Sequence, residues 1–275
     1  MSTITVDEVA ALGRPEIRAR RAGFVADLVT VAGRALRSIP REAETIGPAL
    51  FIPLFFFVVN VGALQDFSEQ GISSFDYKAF QLPVAIIFAV TGISRATVLV
   101  TDIQDGYFDR LLLTPVRRLP LLLGLMVADF VLVCALCVPV IGLGFATGVR
   151  FETGLLGVVA FILIAGLWGL VFTGFPYAIA LKTGNPGAVA SSFLLFFPFA
   201  FLTTSTLPRE QLTGWLDVVA GYNPVTYVLD ALRSLTTQGW EWGTLGKGLL
   251  AIAIVGTAAM SMCFAALRGR LARGS

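Results

Sequence analysis

An all-α polytopic membrane protein with six transmembrane helices is the fold class this sequence predicts. Of 275 residues, 56% are hydrophobic and only 14% charged, whereas a soluble domain carries about 25% charged residues. The apolar residues, 22 Phe among them, gather into runs long enough to cross a bilayer. Proline and short polar stretches separate these runs. Three further helical elements accompany the spans: an amphipathic helix near the amino end, a helix in one cytoplasmic connection, and an outer re-entrant hairpin before the last span.

Residues 1–46 read as a cytoplasmic segment and 47–275 as the six-span domain. The amino end is polar and Arg-bearing, without the early apolar core and cleavage site of a signal peptide. Phe24, Leu28, Val31, Ala32, Ala35 and Leu36 recur at helical spacing among Arg20, Arg21, Arg34, Arg37 and Arg41. This pattern suits a helix lying on an anionic leaflet with its apolar face down. Packing against a partner protein is the alternative.

The spans are expected at 47–64, 80–101, 119–146, 154–181, 187–207 and 246–267. Pro48 and Pro53 occupy early turns, where a missing N–H matters least. Pro139, Pro176 and Pro198 are interior and predict kinks. Orientation follows from the cations. Arg14, Arg18, Arg20, Arg21, Arg34, Arg37, Arg41, Arg110, Arg117, Arg118, Lys182, Arg268, Arg270 and Arg273 fall on one side, against Lys78, Arg150, Arg209, Arg233 and Lys247 on the other. The positive-inside rule then places both termini in the cytoplasm of a plasma membrane.

Two charges lie inside spans. Arg95 sits about 9 Å and Asp129 about 15 Å from the cytoplasmic ends of their helices, at 1.5 Å per residue. Charges at such depth pair or face a cavity, so a contact between Arg95 and Asp129 is expected, with a snorkelling Arg95 as the alternative. Cys134, Cys137 and Cys263 fall within apolar runs and read as packing residues. Gly144 and Gly148 make a weak GxxxG. Gly184-Asn-Pro-Gly187 is a tight turn.

Two connections carry more than linkage. In 102–118, Tyr107, Phe108, Leu111 and Leu112 form an apolar patch on a helix whose Asp105, Asp109 and Arg110 face away, closed by Thr114-Pro115. Such a helix can dock in the groove of a cytosolic motor or lie as a solvated loop helix. In 208–235, two helices too short to cross the bilayer flank the turn Gly221-Tyr-Asn-Pro224, and Asp230 and Arg233 share a face. This stretch reads as a re-entrant hairpin or as an amphipathic surface helix.

Both connections resemble type-2 ABC exporter permeases of the drug-resistance branch. The first matches at Gly106, Phe108, Asp109, Arg110, Leu111, Leu112, Thr114, Pro115 and Arg117 or Arg118, after an acidic start at Asp102 and Asp105. It departs from the pattern at Ile103, Gln104 and Tyr107. The second matches at Asn223, Pro224, Tyr227, Asp230, Ala231 and Arg233. The resemblance implies that the first segment is the coupling helix against an ATP-binding subunit and that the second helps close the outer end of the pathway.

It further implies two cytosolic ABC ATP-binding subunits, which carry the ATP and Mg2+, and a second copy of this chain or a related permease. A bacterial inner membrane and a lipophilic cargo (a drug-like molecule, a lipid or a lipid-linked glycan) complete the expectation. Phe55, Phe56, Phe197, Thr203 and Thr204 are candidate path-lining residues, though such Phe also face lipid or packed helices.

The sequence has no histidine and no GxxxxGK[ST] loop, so no P-loop cradles ATP phosphates on this chain. It offers no triad, metal cluster or HExxH motif, and its net charge of +2 gives no basic surface for nucleic acid. An ion-driven secondary transporter and a non-transporting assembly subunit are the other readings. Neither a paired broken-helix repeat nor an acidic ion site beyond Asp129 favours the first of these.

Overall fold

The computed structural model describes residues 23–39, 43–71, 75–106 and 118–273, and among these every regular element is a helix. In order they are α1 Phe24–Ser38, α2 Ala43–Gly71, α3 Tyr77–Thr91, α4 Ala96–Gln104, α5 Arg118–Ala146 and α6 Gly154–Phe172. After these come α7 Gly174–Thr183, α8 Pro186–Phe201, a 3-10 turn Arg209–Gln211, α9 Trp215–Tyr222, α10 Pro224–Thr237 and α11 Trp242–Arg273.

Among the described residues, five helical stretches are long and apolar enough to span a bilayer: Ile46–Asp66, Tyr77–Gln104, Leu122–Ala146, Gly154–Thr183 and Trp242–Arg270. The expected fifth span at 187–207 is shorter than predicted. Its helix α8 has 16 residues and ends at Phe201, about 24 Å of rise against the ~30 Å hydrocarbon core. Pro198 cannot donate to the carbonyl one turn back, and Thr203-Thr-Ser-Thr206 follows as a turn flanked by bends. A hydropathy window registers the apolarity of this region and is blind to its backbone.

Two spans are broken. The second divides into α3 and α4 around Gly92–Arg95, and the fourth into α6 and α7 at Thr173. The latter break has a direct cause. Pro176 has no N–H for the Phe172 carbonyl, and its ring crowds that carbonyl. Pro139, by contrast, lies within the continuous α5.

The amphipathic α1 does not keep its apolar stripe for lipid. Ala32 and Ala35 are buried, and α1 packs along α5. Gly124 permits this approach, because a Cβ there would stand 2.7 Å from the Val31 Cβ. Phe24, Val25 and Val29 stay exposed.

Two apolar clusters fill the bundle. One joins α3, α5, α6, α10 and α11, with the Trp168 indole donating to the Thr91 hydroxyl at 2.9 Å. The other joins α1, α4, α5, α7 and α11 at the end expected to be cytoplasmic. Gly148 lies beyond the end of α5 at φ 98, so of the GxxxG only Gly144 packs closely, with the Leu82 side chain 3.0 Å from where a Cβ would stand.

Candidate functional site

The cytoplasmic connection begins where α4 ends. Asp102 pairs with Arg34 of α1 at 3.2 Å, and Gln104 donates to the Gly184 carbonyl at 3.0 Å. These contacts tie the end of α4 to α1 and to the turn between α7 and α8. Asp105 caps α4, and Gly106 turns the chain at φ 68, a left-handed conformation that glycine adopts without a Cβ clash. Phe108, Asp109, Arg110, Leu111, Thr114 and Pro115 lie outside the described residues.

Deeper in the bundle, Arg95 and Asp129 are both buried, at 2% and 1% exposure. Arg95 closes the break in the second span. Its guanidinium donates to the Ala35 carbonyl and the Ser38 hydroxyl in the last turn of α1, where a cation complements the helix dipole. Asp129 accepts the Arg95 backbone N–H at 3.3 Å and the Tyr177 hydroxyl at 2.8 Å. A carboxylate thereby faces the positive end of α4. The Arg95 backbone N–H is thus one point at which Arg95 and Asp129 meet. Tyr177 and Ser38, which the sequence did not single out, complete a node that joins α1, α4, α5 and α7.

A second network occupies the opposite end. The irregular stretch after α8 exposes carbonyls that lipid cannot satisfy, and conserving their hydrogen bonds falls to α10. Asn223 donates to the Phe199 and Leu202 carbonyls at 2.6 and 2.8 Å and caps α10 by accepting from the Val225 N–H at 3.0 Å. Pro224 follows at the first helical position, where its lost N–H is harmless.

Tyr227 donates to the Gly221 carbonyl at 2.6 Å. Arg233 donates to the Thr204 hydroxyl and carbonyl at 2.8 and 2.7 Å and to the Phe80 carbonyl at 3.3 Å. It meets Asp230 at 3.5 Å and lies 3.6 Å over the Phe80 ring. Gln81 adds a bond to the Ser205 carbonyl at 3.2 Å.

Of the five residues singled out in 223–233, Asn223 and Arg233 reach the stretch after α8, Tyr227 bonds back to Gly221, Pro224 opens α10 and Asp230 meets Arg233. Replacing Asn223 with Ala removes the cap and leaves two carbonyls unpaired, so a loss of about 2 kcal/mol is expected. Thermal unfolding in detergent reads it as a lowered Tm.

Two cavities flank this network. An apolar groove of about 350 Å³ runs between α2, α3 and α8, lined by Phe56, Phe57, Phe88, Phe193, Phe197 and Phe201, with Asn60, Gln81, Ser205 and Thr206 as its polar residues. Of the expected path residues, Phe56 and Phe197 line it, while Phe55 is exposed. Thr203 is buried and bonded to the Ala200 carbonyl at 2.6 Å. Thr204 serves Arg233 and lines the other cavity, a polar one of about 610 Å³. No cluster of metal-ligating side chains occurs among the described residues.

The chain matches the ABC-2 type transporter family over residues 27–236. The daunorubicin resistance ABC transporter permease protein DrrB1 of Streptomyces coeruleorubidus is 26% identical over 248 residues, 86% of either chain. A protein described as "Probable doxorubicin resistance ABC transporter permease protein DrrC", from Mycobacterium tuberculosis, is 24% identical over 217 residues, 78% of this chain and 79% of its own. "Probable multidrug ABC transporter permease YbhR" of Escherichia coli is 25% identical over 196 residues, 68% of this chain and 52% of its own. The matched region contains the buried charge node, the 102–118 and 208–235 connections and the groove between α2, α3 and α8, and on this evidence the chain belongs to the ABC-2 type transporter family of membrane subunits.

Proposed function

We propose that this chain is the permease of an ATP-driven exporter carrying a lipophilic substrate out of the cytoplasm or the inner leaflet. The groove between α2, α3 and α8 is the observation that supports the substrate class. It is walled by phenylalanines and has no charged residue among those lining it. An apolar molecule placed there gains about 25 cal/mol for each Å² removed from water. Relatives named for daunorubicin and doxorubicin resistance make a drug-like aromatic the first substrate to try.

In this reading the membrane is a bacterial plasma membrane and both termini are cytoplasmic. Two permeases, each this chain or a close relative, stand side by side. Two ATP-binding subunits supply the ATP and Mg2+ chemistry and push on the 102–118 segment. Motion there reaches α4 directly and, through the Arg34–Asp102 pair, α1 as well. Arg95 passes it to the break in the second span. Substrate in the groove leaves toward the loop that Asn223 and Arg233 hold.

The test is transport in proteoliposomes that contain the permease and its ATP-binding partner, with doxorubicin as the fluorescent probe. Phe197→Glu places a charge in the groove without touching either polar network. Transport is expected to fall at least about tenfold, the effect of about 1.4 kcal/mol, while ATPase activity and assembly persist. Undiminished transport by this variant would remove the groove from the pathway.

A further inference from the structure

The polar cavity of about 610 Å³ is separate from the groove and lies at the other side of α3. Four spans bring only their ends to it, and α10 adds Asp230 and Arg233 from along its length. Asp76 caps the start of α3, Gly148 follows α5, Glu152 precedes α6, Gln238 follows α10, and Thr244 lies in the first turn of α11. A cavity ringed by the ends of spans sits at headgroup depth rather than within hydrocarbon. Trp240 and Trp242, stacked at 5.6 Å and exposed beside it, mark the same level, since tryptophan concentrates at the membrane–water interface.

The charges around the cavity balance: Arg150, Arg209 and Arg233 against Asp76, Glu152 and Asp230. Arg233 is held by Asp230 at 3.5 Å and Arg209 by Asp217 at 3.1 Å. Arg150, Glu152 and Asp76 have no ion-pair partner among the described residues; Asp76 is engaged by the Ala79 N–H at 3.0 Å as the cap of α3, which leaves Arg150 and Glu152, one residue apart, as the pair open to a ligand. Their loop is nevertheless fastened. The Glu152 N–H donates to the Thr236 carbonyl at 3.2 Å and the Thr153 hydroxyl to the Leu235 carbonyl at 2.7 Å. Immediately beyond, Leu155 and Leu156 of α6 are 80% and 74% exposed, an apolar surface on which acyl chains can lie.

We propose that this cavity binds the zwitterionic headgroup of a phospholipid in the outer leaflet, phosphate toward Arg150 and ammonium toward Glu152. An anionic headgroup without an amine leaves Glu152 unanswered, so selectivity for the zwitterion follows from the charge arrangement. The site is distinct from the groove and does not depend on what the groove carries.

Native mass spectrometry of the full chain in maltoside detergent tests this. Phosphatidylethanolamine and phosphatidylglycerol with identical acyl chains are the probes, and inorganic phosphate is the competitor. Wild type is expected to retain phosphatidylethanolamine about tenfold more tightly than phosphatidylglycerol, equivalent to about 1.4 kcal/mol. Glu152→Gln is expected to bring the two lipids level, and Arg150→Gln to weaken both. Equal retention by wild type, or a preference that survives Glu152→Gln, would overturn the proposal. Displacement of the lipid by millimolar inorganic phosphate would overturn it too, by assigning the cavity to the free anion. Both substituted residues are exposed and lie outside helices, and an unchanged Tm verifies that each variant is folded.

Discussion

Replacing Arg233 with methionine is expected to destabilise the chain by about 3–5 kcal/mol, the range for breaking a buried, hydrogen-bonded charge. The guanidinium serves the Thr204 hydroxyl and carbonyl and the Phe80 carbonyl, and methionine fills its volume without supplying a donor. The Thr204 and Phe80 carbonyls then lose a donor at a buried position, and the Asp230 carboxylate loses the Arg233 charge. Arg233→Lys keeps the charge but offers a single ammonium where the guanidinium reaches three acceptors, so its loss should be intermediate. Thermal unfolding in detergent gives the order wild type, Lys, Met from highest to lowest Tm. Equal values for wild type and the methionine variant would show that the loop after α8 does not depend on α10.

A similar loss is expected at the opposite end for Asp129→Leu. The Arg95 N–H and the Tyr177 hydroxyl lose their acceptor together, and each buried orphan costs about 1–3 kcal/mol. Asp129→Asn retains an acceptor oxygen and should be milder. Tyr177→Phe removes one of the two bonds, so Asp129→Leu combined with Tyr177→Phe should cost less than the sum of the singles. Because the node joins α1 to α4, α5 and α7, the defect should also appear in coupling. ATPase activity of the assembled transporter should continue while transport per ATP falls. Additive stability losses with unaltered coupling would reduce the node to independent contacts.

What the sequence made legible follows from which forces leave a local imprint. The long spans did, because burial in lipid demands an apolar run of fixed length. The Asp230–Arg233 contact did as well, since three-residue spacing on a helix is geometry. The break at Gly92–Arg95 did not. Gly92, Ile93 and Ser94 barely alter the mean hydropathy of their run, and the break is supported by Asp129 from another helix. The partners of Arg95 were hidden for a related reason. One of them is the carbonyl of Ala35, and every residue has a carbonyl.

The length of α8 was misjudged because a hydropathy window cannot tell a helix from a loop whose carbonyls are met by Asn223 and Arg233. In the same way, the apolar stripe of α1 is equally consistent with lipid and with α5. Only the three-dimensional approach at Gly124 decides for α5.

The most direct test of the account is purification of the tagged chain from its native membrane in mild detergent, with the co-purifying proteins identified by mass spectrometry. A cysteine introduced at Asp105, just before the 107–117 stretch, carries a short cross-linker. The account predicts a stoichiometric soluble subunit with a P-loop, cross-linked at position 105 and lost on replacing Gly106, Asp109 and Arg110. Recovery of the permease without any P-loop protein, even after cross-linking, would contradict it.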